Sequence, residues 1–451
     1  MENENKMFAF LEKYLLGPMG KVASFRIVRA VMAAGMASIP FVIVGSMFLV
    51  FNVLPLTFTF LEGFYNSTFF KVSDLYMLAN KSTMGILALY FGLVIGYEYT
   101  KIYAEEEDLN LNPLNGALLS LFAFFMTVPQ IVLEDGKMSL VHSLEEGNII
   151  VHGWEMVADG VSRLGAIGIF TAIIMSVISV QLYRLCVKKN WVIKMPEAVP
   201  EGVSRSFTAL IPAFLVAFVV LILNGILIAL GTDIFKLVAI PFGFVVNLTH
   251  SWAGTMVIYF LISALWIVGI HGATIIMGFL TPIFLANMQS NIDGSNIPFA
   301  GEFSNAFVTA GGSGATLGLV LFIAFAAKSK QLKVLGKASL APGLFNINEP
   351  IIFGLPIVYN PFLAIPFFLA PMAAATVGYF AIKLEIIPAV IAMMPWPTPL
   401  GAGAFISTGG SFMAIIVAII CALVAFIVWL PFIKMYDSKL VKQEQGEESL
   451  I

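Results

Sequence analysis

The stretch Gly343-Leu-Phe-Asn-Ile-Asn-Glu-Pro-Ile-Ile-Phe-Gly-Leu-Pro356, GLFNINEPIIFGLP, sets one carboxylate among apolar residues broken up by Gly, Asn and Pro. From Ala338 to Ile382, Glu349 is the only Asp, Glu, Lys or Arg. Its flanks are too apolar for a water-washed loop, and the Gly and Pro residues forbid one long helix. An ionised carboxylate near the middle of a bilayer costs about 2.5–3.5 kcal/mol on insertion scales, so Glu349 needs water, a partner or a task. Asn346 and Asn348 add amide donors and acceptors, Pro350 stops helical continuation, and Gly343 and Gly354 bracket the break. Together they read as a polar hairpin tip. The competing structural reading makes Glu349 a helix cap or the answer to a buried cation.

Working outward, the composition explains why such a tip matters. The 451-residue chain is 59% hydrophobic and only 11% charged, with a mean hydropathy of +0.94, whereas soluble domains carry charge on about a quarter of their residues. Its solvent is lipid. A net charge of −3 without a basic face gives no sign of a nucleic-acid partner. Cys186 and Cys421 have neither disulfide-framework nor zinc spacing and read as packing residues.

About 20 apolar residues cross a hydrocarbon core. By that measure the spans are Ala30–Leu54, Thr83–Tyr103, Pro113–Leu133, Leu164–Leu185, Phe207–Gly231, Ser251–Ile270, Thr274–Gln289, Gly312–Ala327, Asn360–Ile382 and Gly410–Phe432. The fold class is therefore an all-α polytopic membrane protein of about ten transmembrane helices. Residues 30–231 form an N-terminal transmembrane half, residues 232–433 a C-terminal half. Residues 1–29 precede the first span, with Met7, Leu11, Tyr14 and Leu15 on one helical face, as in a surface amphipathic segment. Residues 434–451 read as a short, charged, disordered cytoplasmic tail.

Apolar stretches left over, Leu340–Pro356, Ile387–Thr408 and part of 290–311, are rich in Gly, Pro, Asn, Ser and Thr. Broken backbone at membrane depth is tolerated only where protein or a wet cavity covers it. These stretches are thus candidate re-entrant hairpins lining a pocket, where transporters bind substrate.

Lys and Arg set the orientation. Clusters at Lys6–Arg29, Arg184–Arg205, Lys328–Lys337 and Lys434–Lys442 fall on one side of a ten-span chain, placing both termini in the cytoplasm. The opposite connection, 134–163, holds only Lys137 and Arg163 and alternates around Glu146-Gly147 as a hairpin would. The acidic run AEEED at 104–108 reads as a solvated loop.

His271, in WIVGIHGAT, is the second polar landmark; an isolated histidine in an apolar run is by itself more often a satisfied structural residue. His250, His142 and His152 have no comparable surroundings, and the absence of close histidine pairs argues against a metal cluster. No cofactor is called for. Trp396, between Pro395 and Pro397, suits either stacking on a sugar ring or anchoring at the membrane interface. A sugar pocket needs carboxylates and amides for hydroxyl edges, which these segments supply.

The pairing of GIHG (269–272) with FNINEPIIFGLP (345–356) resembles the enzyme IIC membrane components of bacterial phosphotransferase systems, in the lactose/cellobiose/diacetylchitobiose family. VPEGVSRSFTALIPA (199–213), GGSGATLGL (311–319) and MPWPTP (394–399) extend the likeness over nearly the entire chain. The resemblance implies ten transmembrane helices, two re-entrant hairpins, surface amphipathic helices, and a homodimer joined through N-terminal halves. It implies a permease that moves a disaccharide by alternating access and presents its 6-hydroxyl to phosphorylated enzyme IIB. Glu349 and His271 would meet that hydroxyl as the catalytic pair; Asn346, Asn348 and Trp396 would join them in binding substrate. Some relatives carry a fused IIB domain with a phosphorylated cysteine. Here Cys421 lies inside an apolar span, so the IIB partner is expected on a separate chain. The alternative is an ion-coupled sugar symporter using Glu349 and His271 as a proton relay.

Overall fold

The computed structural model describes residues 21, 24–142, 149–157, 160–193, 196, 207–267, 269, 271–355, 357 and 360–445. Its helices, in chain order, are α1 (Arg26–Thr57), α2 (Leu87–Glu106), α3 (Pro113–Phe125), α4 (Ile169–Lys188), α5 (Leu210–Ala229), α6 (Ile234–His250) and α7 (Trp252–Ile267). There follow α8 (Gly272–Ile292), α9 (Leu317–Phe325), α10 (Lys330–Leu344), α11 (Glu349–Gly354), α12 (Pro361–Lys383), α13 (Ala402–Ser407) and α14 (Phe412–Glu444). Short helical pieces link α1 to α2.

Among the described residues six helices are long and apolar enough to cross a membrane, or seven if the bent pair Phe69–Lys81 and Met84–Glu106 counts as one. Two of the expected spans are not continuous helices. Pro113–Leu133 stops at Phe125, because Pro129 cannot continue a helix and biases the residue before it toward extended backbone. Ile131–Glu134 then forms strand β1. Within Gly312–Ala327 only Leu317–Phe325 is α-helical, since Gly311, Gly312, Gly314 and Ala315 all adopt positive φ.

The chain divides into two compact units. One contains Val22–Gly45 with Leu78–Val245. Its centre is the packing of α2, α3 and α4, made close by small residues: a Cβ on Gly96 or Gly116 would lie 2.8 Å from the other's carbonyl oxygen. Thr100 and Ser120 return their hydroxyls to the Gly96 and Gly116 carbonyls at 2.7 and 2.8 Å, and Ser120 meets Ser179 at 3.1 Å. With no water to drive association in lipid, close backbone approach and interhelical hydroxyl bonds take that role.

In the same unit β1 pairs with β2 (Lys137–Leu140) through Asp135-Gly136, and β3 (Ile149–Val151) with β4 (Trp154–Val157) through His152-Gly153. Both residues of each turn have positive φ, as a two-residue hairpin of the primed type requires. The turn expected at Glu146-Gly147 lies outside the described residues, as does residues 1–20 of the amphipathic segment.

The acidic run also departs from expectation. Glu106 receives Arg26 and Arg29, while Glu107 receives Arg26 at 2.8 Å, Arg184 at 2.6 Å and Lys188 at 2.7 Å. The guanidinium groups of Arg26 and Arg184 each lie 4.5 Å from the centre of the Tyr103 ring. These carboxylates are a hub that draws two distant basic clusters to one end of the unit.

The other unit contains Ser46–Met77 and the chain from Val246 onward. Here α12 runs along α14 and α7 packs on both α8 and α12. The irregular segments between helices are buried in part, and asparagines satisfy much of their backbone there. Asn287 donates to Phe299 O at 2.8 Å; Asn291 donates to Ile297 O and Val390 O, each at 3.0 Å; Asn296 donates to Ile382 O at 2.9 Å. Ile391 and Ala392 donate back to Ser407 O, folding 387–408 on itself. The residues from Lys434 do not form a loose tail: α14 is helical through Glu444. Cys186 and Cys421 are both fully buried.

Candidate functional site

The polar tip is built by the end of α10. Asn346 N–H bonds to Gly343 O at 3.2 Å and Ile347 N–H to Pro342 O at 3.0 Å, the paired bonds of a Schellman turn. That turn needs one residue in the left-handed region, and Asn346 takes it with φ of 60°. Its side chain is equally committed. Oδ1 accepts from Gly311 N–H at 3.0 Å, and Nδ2 donates to Trp396 O and Thr398 O, each at 3.0 Å.

Asn348 is spent in the same way, its Nδ2 donating to Ser313 O and, at 3.3 Å, to Thr316 Oγ1. A Cβ at Gly312 would fall 2.5 Å from the Asn348 side chain, so only glycine fits this positive-φ position. The structure thereby joins three separated stretches, 311–316, 346–348 and 396–398, into one cluster. Both asparagines are buried; they hold the cluster together.

Glu349 is different. It is the first residue of α11, its side chain is exposed, and among the described residues it has no ion-pair or hydrogen-bond partner. The reading of Glu349 as the answer to a buried cation therefore has no support here. Trp396 is likewise 52% exposed, its backbone carbonyl held by Asn346 while its indole stands free of hydrogen bonds among the described residues.

His271 caps α8. Its Nδ1 accepts from Thr274 N–H at 3.2 Å and lies 2.8 Å from Thr274 Oγ1. A ring nitrogen that accepts from a backbone amide carries no proton, so in the neutral imidazole Nε2 bears it. The ring is exposed, and Nε2–H is left to donate outward. Among the described residues His271 and Glu349 share no bond with each other.

Two residues escaped the sequence reading. Trp266 is 4% exposed and its ring centre lies 4.4 Å from that of His271. Its Nε1–H finds no acceptor among the described residues, which makes it the outstanding unsatisfied donor beside His271. The signal was Trp266 five positions before His271 at the end of an apolar helix. Glu302 is buried, its Oε2 accepting from Asn305 Nδ2. It is the only charged residue between Asp293 and Lys328, a rarity that marks it in the sequence as it marks Glu349. It lies next to the π-helical turn Ser304–Val308, a distortion frequent near functional sites.

Comparison with known proteins gives this geometry a context. The family model described as "Phosphotransferase system, EIIC" matches residues 32–371. The chain is 33% identical to the lichenan permease IIC component of Bacillus subtilis (strain 168), covering 98% of this chain and 96% of the relative. It is 32% identical to the cellobiose-specific EIIC component of Geobacillus stearothermophilus, covering 99% and 98%. A lactose-specific EIICB component of Staphylococcus haemolyticus is 27% identical over 99% of this chain and 73% of its own length. Among solved structures, the transporter ChbC, the IIC component from the N,N'-diacetylchitobiose-specific phosphotransferase system, matches with a TM-score of 0.83 and 33% identity, covering 97% of this chain and 99% of that one.

Proposed function

The chain belongs to the EIIC family of the phosphotransferase system, and from that premise we propose that it is the permease for a disaccharide of the cellobiose, diacetylchitobiose or lactose class. It binds the sugar in the unit that holds Glu349, carries it inward by alternating access, and presents its 6-hydroxyl to a phosphocysteine on a separate enzyme IIB. The observation that carries this reading is Glu349: an exposed carboxylate without a protein partner among the described residues, on a loop held in place by the side chains of Asn346 and Asn348.

In the transfer step the sugar O6 attacks phosphorus, the S–P bond to the IIB cysteine breaks and thiolate leaves, and the O6 proton passes to the Glu349 carboxylate. Phosphoryl transfer depends chiefly on positioning and charge stabilisation; a carboxylate within hydrogen-bond reach of O6 supplies the base. His271 orients the hydroxyl or meets developing charge through Nε2–H and is not itself phosphorylated. Asn346 and Asn348 contribute by fixing the loop, and Trp396 offers its face to a sugar ring. The sugar phosphate carries about two charges near neutral pH by analogy with other phosphate monoesters, so it does not return through an apolar path.

The accompanying topology has re-entrant hairpins at α9–α10 and 387–408 and a homodimer joined through the N-terminal halves. At 9 residues α9 is about 14 Å long, too short to cross. The convergence of Arg26, Arg29, Arg184 and Lys188 on Glu106 and Glu107 supports placing the first two basic clusters on one side. The symporter alternative draws no support, since a relay needs linked donors and acceptors and His271 and Glu349 share no bond among the described residues.

The test is to supply membranes containing the chain with phosphoenolpyruvate, the soluble phosphotransferase proteins and enzyme IIB, and to assay cellobiose, diacetylchitobiose and lactose phosphates. Formation of a 6-phosphodisaccharide that depends on IIB is the expected result. Accumulation of unmodified sugar driven by a proton gradient, without phosphoenolpyruvate, would overturn it.

A further inference from the structure

Two carboxylates on α14, Asp437 and Glu444, are spaced seven residues apart and so share a face. Both reach the start of α10. Asp437 is only 5% exposed; its Oδ1 accepts Ser329 N–H at 2.8 Å and Lys328 N–H at 3.0 Å, and its Oδ2 accepts Lys328 N–H at 2.9 Å. Glu444 accepts Lys330 N–H at 3.0 Å, Gln331 N–H at 3.1 Å and Ser329 Oγ–H at 2.7 Å. Ser329 Oγ in turn accepts Leu332 N–H at 3.3 Å.

A helix start leaves its first N–H groups without intrahelical partners, and water or one capping serine ordinarily meets the need. Here a distant segment of chain meets it, with a carboxylate drawn out of water to do so. Burying a charge is costly unless its bonds are made, so the geometry locks α10 to α14.

α10 has 15 residues, about 22 Å of helix, and α9 packs along it. The two form a hairpin. At its far end Asn346 and Asn348 clasp the loop 311–316, and Glu349 follows directly. The clamp at Asp437 and Glu444 holds the near end. We propose that Asp437 and Glu444 are positioning residues for Glu349, fixing the hairpin along its axis and so the place where the Glu349 carboxylate meets the sugar. This rests on the reading of Glu349 as the carboxylate that grips the sugar.

The experiment titrates the purified full-length chain with cellobiose, or with diacetylchitobiose if the wild-type chain takes only that sugar, in a cycle of Asp437→Ala and Glu349→Gln. Asp437→Ala is expected to weaken binding about 5-fold in the wild-type background and less than about 2-fold when Glu349 is already Gln, the non-additivity of coupled sites. Asp437→Glu should recover part of the loss. Unchanged affinity in Asp437→Ala, or the same loss in both backgrounds, overturns the clamp alone. A Glu349→Gln chain with wild-type affinity removes the reading of Glu349 and the clamp with it. Should Asp437→Ala fail to give a folded chain, Glu444→Gln leaves the buried Asp437 in place and runs the same cycle with a smaller shift, about 2-fold, judged by the same criteria.

Discussion

Glu107 and Glu349 are two carboxylates in one apolar chain, and their surroundings are opposite. Glu107 is met by Arg26, Arg184 and Lys188, from segments about 80 positions away in both directions. Glu349 is met by no side chain among the described residues, although the turn just before it is pinned through Asn346 and Asn348. A charge whose partners are all protein groups is spent on the fold. A charge held in place but left unpaired is available to something that arrives later, and under the proposed function that is the sugar.

The contrast is broken most severely at Glu349 itself. Glu349→Gln should lower formation of sugar phosphate by about 10²–10⁴-fold, the usual contribution of a positioned base, with the thermal midpoint of the purified chain unchanged because no bond among the described residues is lost. A large fall in that midpoint would move Glu349 into the same class as Glu107.

Asn346 should behave in the reverse manner. Asn346→Ala leaves Gly311 N–H and the carbonyls of Trp396 and Thr398 without their partner, at roughly 1–3 kcal/mol for each buried group. The thermal midpoint should drop clearly, and Asn346→Gly should recover only the part due to the left-handed backbone. Loss of sugar binding with full thermal stability would make Asn346 a direct ligand instead.

His271→Ala should weaken binding or turnover by about 10-fold, the scale of one good hydrogen bond, and Trp396→Ala should weaken binding by about 2–10-fold, the scale of aromatic stacking. Titration of each variant with cellobiose checks both. A Trp396→Ala chain with wild-type affinity would leave that indole as an interface anchor.

The smallest effect is expected at Glu107→Gln, which should leave phosphorylation intact. Bonds from Arg184, Lys188 and Arg26 hold the Glu107 carboxyl down to about 2. Because the folded value lies below the unfolded one, the stabilisation is present above about pH 4.3 and fades as pH falls toward 2. Acid titration of thermal stability in wild type and Glu107→Gln should converge at the acid end; curves that stay parallel would deny the hub its role.

How much of this was legible in the sequence depends on the kind of residue. Charges are so rare here that Glu349 announced itself, and the same rarity marks Glu302. The long spans were legible by length, whereas α3 and α9 were not, because Pro129 and the glycines of 311–314 end helices inside runs that stay apolar. Asparagine was the least legible. An amide that grips a sugar and an amide that satisfies a buried carbonyl look identical in sequence, and Asn287, Asn291, Asn346 and Asn348 all prove to serve the backbone. Glu106 and Glu107 looked like a solvated run because their partners lie far along the chain.

The central claim, that Glu349 grips the hydroxyl destined for phosphorylation, is tested most directly by titrating wild-type and Glu349→Gln chains with cellobiose and with its 6-deoxy analogues. The account predicts that removing the 6-hydroxyl weakens binding to the wild-type chain by about 10-fold or more and makes little difference once Glu349 is Gln. Equal discrimination by both chains would contradict it.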